Sequence, residues 1–168
     1  NYSYYVDGVN GTAEGDNGYA RSAAALVVET AMTFDDEGFE FSKFENEKGF
    51  IDVVILIVAG KGGSQQNGHY FWPHMFYVPT SGHGLEDINP NAPSNSDDYF
   101  SPGDVAIHKY IVIHEQYPYW GSSDETKIPP IGTICHELGH VLGLPDLYDN
   151  SDSPASGIGY WGLMGAGN

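Results

Sequence analysis

The sequence predicts an α/β domain in which a small, twisted, mixed sheet lies between two helices. Three observations lead to this fold class. A helix-forming segment rich in alanine covers residues 19–32, three apolar segments with strand character follow it, and a second helical pattern begins near Ile131. The chain has 168 residues, enough for one sizeable core, and we expect residues 1–168 to form a single domain.

The first half of the chain supplies one helix and one strand. Residues 1–18 are rich in Gly, Asn and Asp, and we expect them to be irregular. After them, residues 19–32 place small apolar side chains along one helical face: Ala20, Ala23, Ala24, Val27 and Ala31. A turn-rich acidic segment at 35–49 precedes residues 50–59 (FIDVVILIVA), whose apolar and β-branched character predicts a buried central strand. Residues 60–68 form a Gly-rich loop.

The second half adds two strands and the second helix. The aromatic segment 69–78 contains Pro73, which cannot donate to a strand ladder and therefore predicts an edge strand. A long polar loop at 81–104 leads to residues 105–114 (VAIHKYIVIH), which again have strand character. A further proline-containing loop ends at Pro130, a residue type suited to the first turn of a helix.

The chain is strongly acidic, with 23 acidic and 6 basic residues and a formal net charge of -17. This balance repels nucleic acids and anionic membranes and favours cations, so we expect no nucleic-acid partner. No apolar run is long enough for a membrane span, and the first residues do not resemble a signal peptide. We expect a mature or excised domain that is part of a longer chain. The single cysteine, Cys135, can form no internal disulfide and is expected to be a small buried residue rather than a metal ligand.

The most specific pattern is His136-Glu137-x-x-His140, followed by Gly143 and Asp146. Residues four apart lie on the same face of a helix, so the two imidazoles can converge on one metal ion. The glycine permits the left-handed conformation that ends a helix, after which the aspartate can return as a third ligand. Three protein ligands leave a fourth position open, which is typical of a catalytic zinc site.

Other polar residues near this motif have competing interpretations. Glu137 is one step round the helix from the first histidine, where a carboxylate can activate a zinc-bound water. Asp149 lies shortly after Asp146 and competes with it as the third ligand. The acidic loop at 94–98 is expected to be solvated. The remaining histidines show no ligand spacing and are expected to be surface or core residues: His69, His74, His83, His108 and His114.

A second motif, GIGYWGLMGAGN, follows the predicted ligand helix and places Met164 in a Gly-rich turn. A methionine in this position resembles the Met-turn of the metzincins, whose thioether forms a floor below the metal site. Together with it, the segments HELGHVLGLPDLYD, IDVVILIVAGKG and WPHMF resemble the catalytic domain of the immune inhibitor A-type metallopeptidases. These are secreted bacterial zinc proteases of the metzincin class, and the resemblance covers roughly residues 19–168.

The resemblance implies a metzincin-like fold with a small mixed sheet, a supporting helix, an active-site helix and a Met-turn. It makes His136, His140 and Asp146 the zinc ligands, Glu137 the general base and acid, and Met164 the Met-turn residue. It also implies a zinc endopeptidase that acts on protein or peptide substrates, outside the cell or at its surface. The predicted edge strand could hold an extended substrate by β-pairing. The oligomeric state is open.

Two departures from the family pattern leave alternatives. Some metzincins have an oxyanion-stabilising tyrosine two residues after the turn methionine, where this chain has Ala166. Tyr148, Tyr160 or His114 could replace it. Members of this family often have a calcium-binding loop before the central strand, but here the segment is FENEKGFID, with Lys48 where an acidic ligand would be useful. A solvated acidic turn is therefore favoured over a calcium site, and Ca²⁺ stays the alternative second cofactor. The alternative function is a zinc-stabilised binding or adhesion domain of a larger surface protein, with weak or no catalysis.

Overall fold

The computed structural model of this chain describes residues 23–61, 73–78, 105–116, 128–148 and 157–165. These ranges contain two α-helices and five strands: α1 (Ala23–Asp36), β1 (Phe50–Ile51), β2 (Val54–Lys61), β3 (His74–Tyr77), β4 (Ala106–Ile107), β5 (Lys109–Gln116) and α2 (Ile131–Val141). Short 3₁₀ turns lie at Phe41–Phe44 and Gly159–Trp161. The predicted α/β class is confirmed. Three of the predicted loops lie wholly or mostly outside the described residues: 1–18, 81–104 (which includes the acidic loop at 94–98) and 60–68.

The sheet is mixed, as predicted. Within the described ranges its order is β2-β5-β3, with β2 parallel and β3 antiparallel to β5. Strands β1 and β4 form a separate parallel pair, in which Phe50 is opposite Ala106. In the sheet, Val54 of β2 is opposite Tyr110 of β5. The sequence separation between paired residues is the same as in the β1–β4 pair, so both parallel pairs share one register on either side of a short interruption. Parallel strands need a long connection between them, and here it carries the edge strand β3.

Helix α1 packs its alanine-rich face on the core. Its buried residues are Ala23, Ala24, Ala25, Val27, Val28 and Ala31, which includes every described member of the predicted face. Small side chains on this face let the helix lie close to its neighbours. The same cluster contains Tyr110 and Val112 of β5 and Ile107 of β4. The core therefore lies between α1 and the central part of the sheet.

The prediction that residues 50–59 form the central strand is wrong for the described part of the sheet. The central strand is β5, whose residues Tyr110, Ile111 and Val112 are fully buried. Strand β2 lies at one end of the described order, and Ile55 and Ile57 are 38% and 63% exposed. A continuous apolar run shows that side chains prefer burial, but it does not show which strands lie on either side.

The prediction for the edge strand is confirmed for the residues that the structure describes. Strand β3 begins at His74, directly after Pro73, and lies at the other end of the sheet from β2. Helix α2 begins at Ile131 with Pro130 as its N-cap residue, as expected for a proline at a helix start. No helix in the described ranges combines the length and apolar character needed to cross a membrane.

Candidate metal centre and active site

Helix α2 and the turn that follows it bring three predicted ligands together. The Nε2 atoms of His136 and His140 lie 3.1 Å apart on one helical face. Gly143 adopts a left-handed φ of 87° and its N–H donates to the His140 carbonyl, which ends the helix within one turn. The chain then reverses, and Asp146 Oδ1 lies 3.0 Å from His136 Nε2 and 3.3 Å from His140 Nε2.

Backbone carbonyl groups orient both imidazole rings. Nδ1 of His136 donates to the Leu163 carbonyl at 2.8 Å, and Nδ1 of His140 donates to the Leu144 carbonyl at 2.8 Å. Because a carbonyl oxygen only accepts, each Nδ1 carries the ring proton and each Nε2 presents a lone pair. Each Nε2 atom lies close to the Asp146 carboxylate oxygen, and this arrangement suits a bound cation.

The size of the cluster matches a tetrahedral metal ion. A tetrahedron with bonds of about 2.0–2.1 Å separates its ligand atoms by about 3.3 Å. The three measured separations, 3.0, 3.1 and 3.3 Å, agree with that value. In the parts of the chain that the structure describes, His136, His140 and Asp146 are the only group of three histidine, cysteine or acidic residues that could hold a metal ion. The donor set of two imidazoles and one carboxylate suits zinc.

Glu137 is buried beside the cluster and is not part of it. Only 6% of its surface is exposed, and burial raises the pKa of its carboxyl group above the usual value. The two histidines and a hydrogen bond from the Met75 backbone N–H act in the opposite direction, and the nearby Asp146 carboxylate adds to the increase. The Met75 contact connects the carboxylate to the edge strand β3. Glu137 is thus a buried carboxylate beside the cluster.

The turn that contains Met164 packs against the ligand helix. Met164 is buried, and a β-carbon added at Gly139 would lie 2.5 Å from its sulfur, so the thioether lies directly against the helix between the two histidines. The Leu147 N–H donates to the Met164 carbonyl at 2.7 Å, which attaches the turn to the ligand loop as well. Together with the hydrogen bond from His136 to the Leu163 carbonyl, these contacts attach residues 163 and 164 to α2 and to the segment after it.

The three alternatives for an oxyanion-stabilising residue lie in different environments. The Tyr148 hydroxyl donates to the Asp146 carboxylate, and burial, followed by this bond and the charges of Asp146 and Glu137, raises the pKa of Tyr148 to about 12. Tyr160 is 86% exposed. His114 is buried on β5, and burial lowers its pKa to about 4, which keeps it neutral. Asp149 and Ala166 lie outside the described residues.

The remaining predicted positions do not join the cluster. Cys135 is a partly buried free thiol. In the acidic turn before β1, Asn46 Oδ1 accepts the backbone N–H groups of Lys48 and Phe50, while its side-chain amide donates to Asp52. The turn is therefore organised by its own hydrogen bonds. His74 lies 3.3 Å from the Tyr110 hydroxyl, away from the ligand set, and His69 and His83 are outside the described residues.

Sequence reasoning missed the backbone groups of the site. The Met75 N–H, the Leu144 carbonyl and the Leu163 carbonyl each contact a proposed functional side chain. Every residue except proline has both groups, so no residue type marks them. Only the general rule that ligating histidines have an orienting acceptor could have indicated that such partners exist.

A helical His-Glu-x-x-His segment with a third ligand beyond it is the metal site of one large class of peptidases. The fold and the site together therefore define a metallopeptidase catalytic domain. The chain belongs to the immune inhibitor A peptidase M6 family, whose catalytic-domain profile matches residues 28–168. The predicted family and the predicted metalloendopeptidase class are confirmed.

Curated relatives agree with this assignment. The chain is 25% identical over 172 residues to Immune inhibitor A of Bacillus thuringiensis subsp. alesti, covering 90% of this chain and 22% of that protein. It is 27% identical over 130 residues to the Pre-pro-metalloprotease PrtV of Vibrio cholerae serotype O1, covering 74% of this chain and 12% of that protein. The chain thus spans less than a quarter of the length of these relatives.

Proposed function

We propose that this chain is the catalytic domain of a zinc-dependent endopeptidase that acts outside the cell or at its surface. One observation carries the proposal: the convergence of His136, His140 and Asp146 at tetrahedral spacing beside the buried carboxylate of Glu137. A structural zinc site has no need of a base next to it. The acidic composition and the resemblance to secreted bacterial proteases support the location.

Each side chain of the site has a defined task in amide hydrolysis. His136, His140 and Asp146 would hold the metal, which supplies a Lewis acid that polarises the peptide carbonyl and lowers the pKa of water. Glu137 accepts a proton from the attacking water and donates it to the departing amine. Burial raises the pKa of its carboxyl group above the usual value, a direction that suits a residue acting first as base and then as acid.

The edge strand β3 supports an extended peptide as the substrate. Antiparallel neighbours alternate between residues that exchange hydrogen bonds and residues that do not. The Val78 N–H donates to the His108 carbonyl at 2.9 Å, so Val78 is one of the residues that hydrogen-bond to the neighbouring chain. By the alternation along the strand, the peptide groups of Met75 and Tyr77 point away from β5. The bond from the Met75 N–H to Glu137 agrees with this alternation. The Met75 carbonyl and the Tyr77 peptide groups face the same edge, where a substrate strand could pair beside the base.

We also propose that residues 162–165 form a metzincin Met-turn. The burial of Met164 against Gly139, between the two ligand histidines, supports this assignment. It would make the domain metzincin-like in the narrower sense that the sequence motif predicted. That residues 1–168 form one catalytic domain of a longer protein stays a prediction.

The test compares the wild-type protein with Glu137→Gln, which preserves side-chain volume and removes the proton acceptor. We expect about one zinc per chain in both proteins by elemental analysis. Casein or peptide hydrolysis should be lost with a chelator and restored by Zn²⁺ in the wild type, and the variant should be slower by about 10²–10⁴-fold. Equal rates in both proteins would contradict the role of Glu137. Zinc binding without any hydrolysis in the wild type would favour the binding-domain alternative.

A further inference from the structure

Tyr148 contacts the metal cluster in two ways. Its ring is nearly parallel to the imidazole of His136, with an angle of 18° and ring centroids 6.2 Å apart. Its hydroxyl group donates to the carboxylate of Asp146. The same side chain therefore lies against one histidine of the cluster and is hydrogen-bonded to the aspartate, although these two residues are on different segments.

The backbone at Tyr148 is held from the neighbouring turn. Leu147 donates its N–H to the Met164 carbonyl at 2.7 Å and accepts the Ile158 N–H at 3.0 Å. Gly157 has a left-handed φ of 53° and lies so close that an added β-carbon would be 2.8 Å from the Tyr148 α-carbon and would overlap the Leu147 carbonyl. Only glycine fits this approach. The position of Tyr148 is thus set by backbone contacts with the neighbouring turn.

The three proposed ligands have different needs for orientation. His136 and His140 are fixed by the helix and by hydrogen bonds from Nδ1 to backbone carbonyls. Asp146 lies in the irregular segment after the helix, so the orientation of its carboxylate depends on side-chain contacts rather than on helix geometry. Ligating carboxylates commonly have a hydrogen-bond donor. The Tyr148 hydroxyl is such a donor to Asp146.

We propose that Tyr148 is a positioning residue of the metal centre, which holds Asp146 by its hydroxyl group and lies against His136 with its ring. This inference rests on the proposed function and assigns to Tyr148 a task on the metal ligand rather than on the substrate oxyanion.

The experiment uses Tyr148→Phe, which keeps the ring and removes only the hydroxyl group. Tyr160→Phe is the matched control, because it removes a hydroxyl group from an 86% exposed tyrosine in the adjacent turn. Zinc affinity is measured by competition with a chromophoric chelator, and the ligand field is measured from the visible spectrum of the Co²⁺-loaded proteins. Circular dichroism of each metal-free protein tests whether the fold is kept.

We expect Tyr148→Phe to bind zinc about 10- to 100-fold more weakly than the wild type and to show an altered Co²⁺ spectrum, while Tyr160→Phe matches the wild type. Wild-type affinity and an unchanged spectrum in Tyr148→Phe would overturn the inference, and a fall in kcat alone would then place the hydroxyl group on the substrate. A wild-type protein that binds no zinc would overturn the proposed function as well, so the two failures are distinguishable.

Discussion

The packing of Met164 below the ligand helix can be tested by adding one methyl group. In Gly139→Ala the new β-carbon would lie 2.5 Å from the Met164 sulfur and 3.2 Å from its terminal carbon. Both separations are shorter than the 3.5–4.0 Å or so of a favourable contact. Overpacking of this kind costs about 1–3 kcal/mol, whereas replacing glycine by alanine inside a helix gains about 1 kcal/mol. We therefore expect Gly139→Ala to lower the free energy of unfolding by roughly 0–2 kcal/mol.

The companion variant Met164→Ala separates these two effects. Without the thioether, the alanine at position 139 meets no obstacle from the turn, and it should stabilise the protein by about 1 kcal/mol through helix propensity alone. The four proteins of the cycle then give a coupling free energy of about 1–3 kcal/mol between the two positions.

Urea denaturation followed by circular dichroism measures all four proteins at one fixed concentration of free zinc. The concentration must be fixed because metal that binds only the native state raises its apparent stability. The reasoning is refuted if Gly139→Ala changes the free energy of unfolding equally in both backgrounds. Equal changes would mean that the Met164 side chain does not lie against the helix.

Three further predictions concern a ligand, a helix end and a buried base. Asp146→Asn should weaken zinc binding roughly tenfold or more, and Asp149→Asn should not; the reverse ranking in a chelator competition would assign the third ligand to Asp149. Lys109→Met should lower the free energy of unfolding by about 1–2 kcal/mol, because the ammonium group donates to the last helical carbonyl of α2 at 3.1 Å, and an unchanged urea midpoint would contradict this. The pKa of His114 is about 4 in the folded protein, below its ordinary 6.5, so the unfolded chain takes up the proton first. Stability should therefore fall as the pH drops from about 6.5 to about 4, by a total on the order of 3 kcal/mol, and His114→Gln should flatten this dependence in denaturation curves recorded across that range.

The ligand set could be predicted from the sequence because its geometry is mostly local. Four residues of helix bring His140 next to His136, and a left-handed Gly143 is enough to return the chain to Asp146. These distances depend on backbone geometry that every α-helix shares. A pattern of residue types at fixed spacing therefore specifies three atoms of the site without knowledge of the rest of the fold.

The order of the strands could not be predicted in the same way. The segment that contains β2 is the most apolar of the chain, yet β5 has the central place and includes Lys109 and Glu115. Position in a sheet depends on which strands pair, and pairing is a property of two segments that are distant in sequence. The hydrogen bond from the Met75 N–H to Glu137 could not be predicted for the same reason, because it forms only when β3 packs beside α2.

The hydrogen bond from His136 to the Leu163 carbonyl links two segments that are 27 residues apart. The orientation of His136 depends on this distant carbonyl, so metal binding is coupled to the docking of the turn at residues 162–165. The coupling is reciprocal: a docked turn favours metal binding, and a bound metal favours the docked turn. Zinc bound through His136 would then stabilise the hydrogen bond to Leu163 and, with it, the docked turn. Cleavage of the chain between residues 148 and 157 would leave every ligand in place and still increase the rate of metal loss.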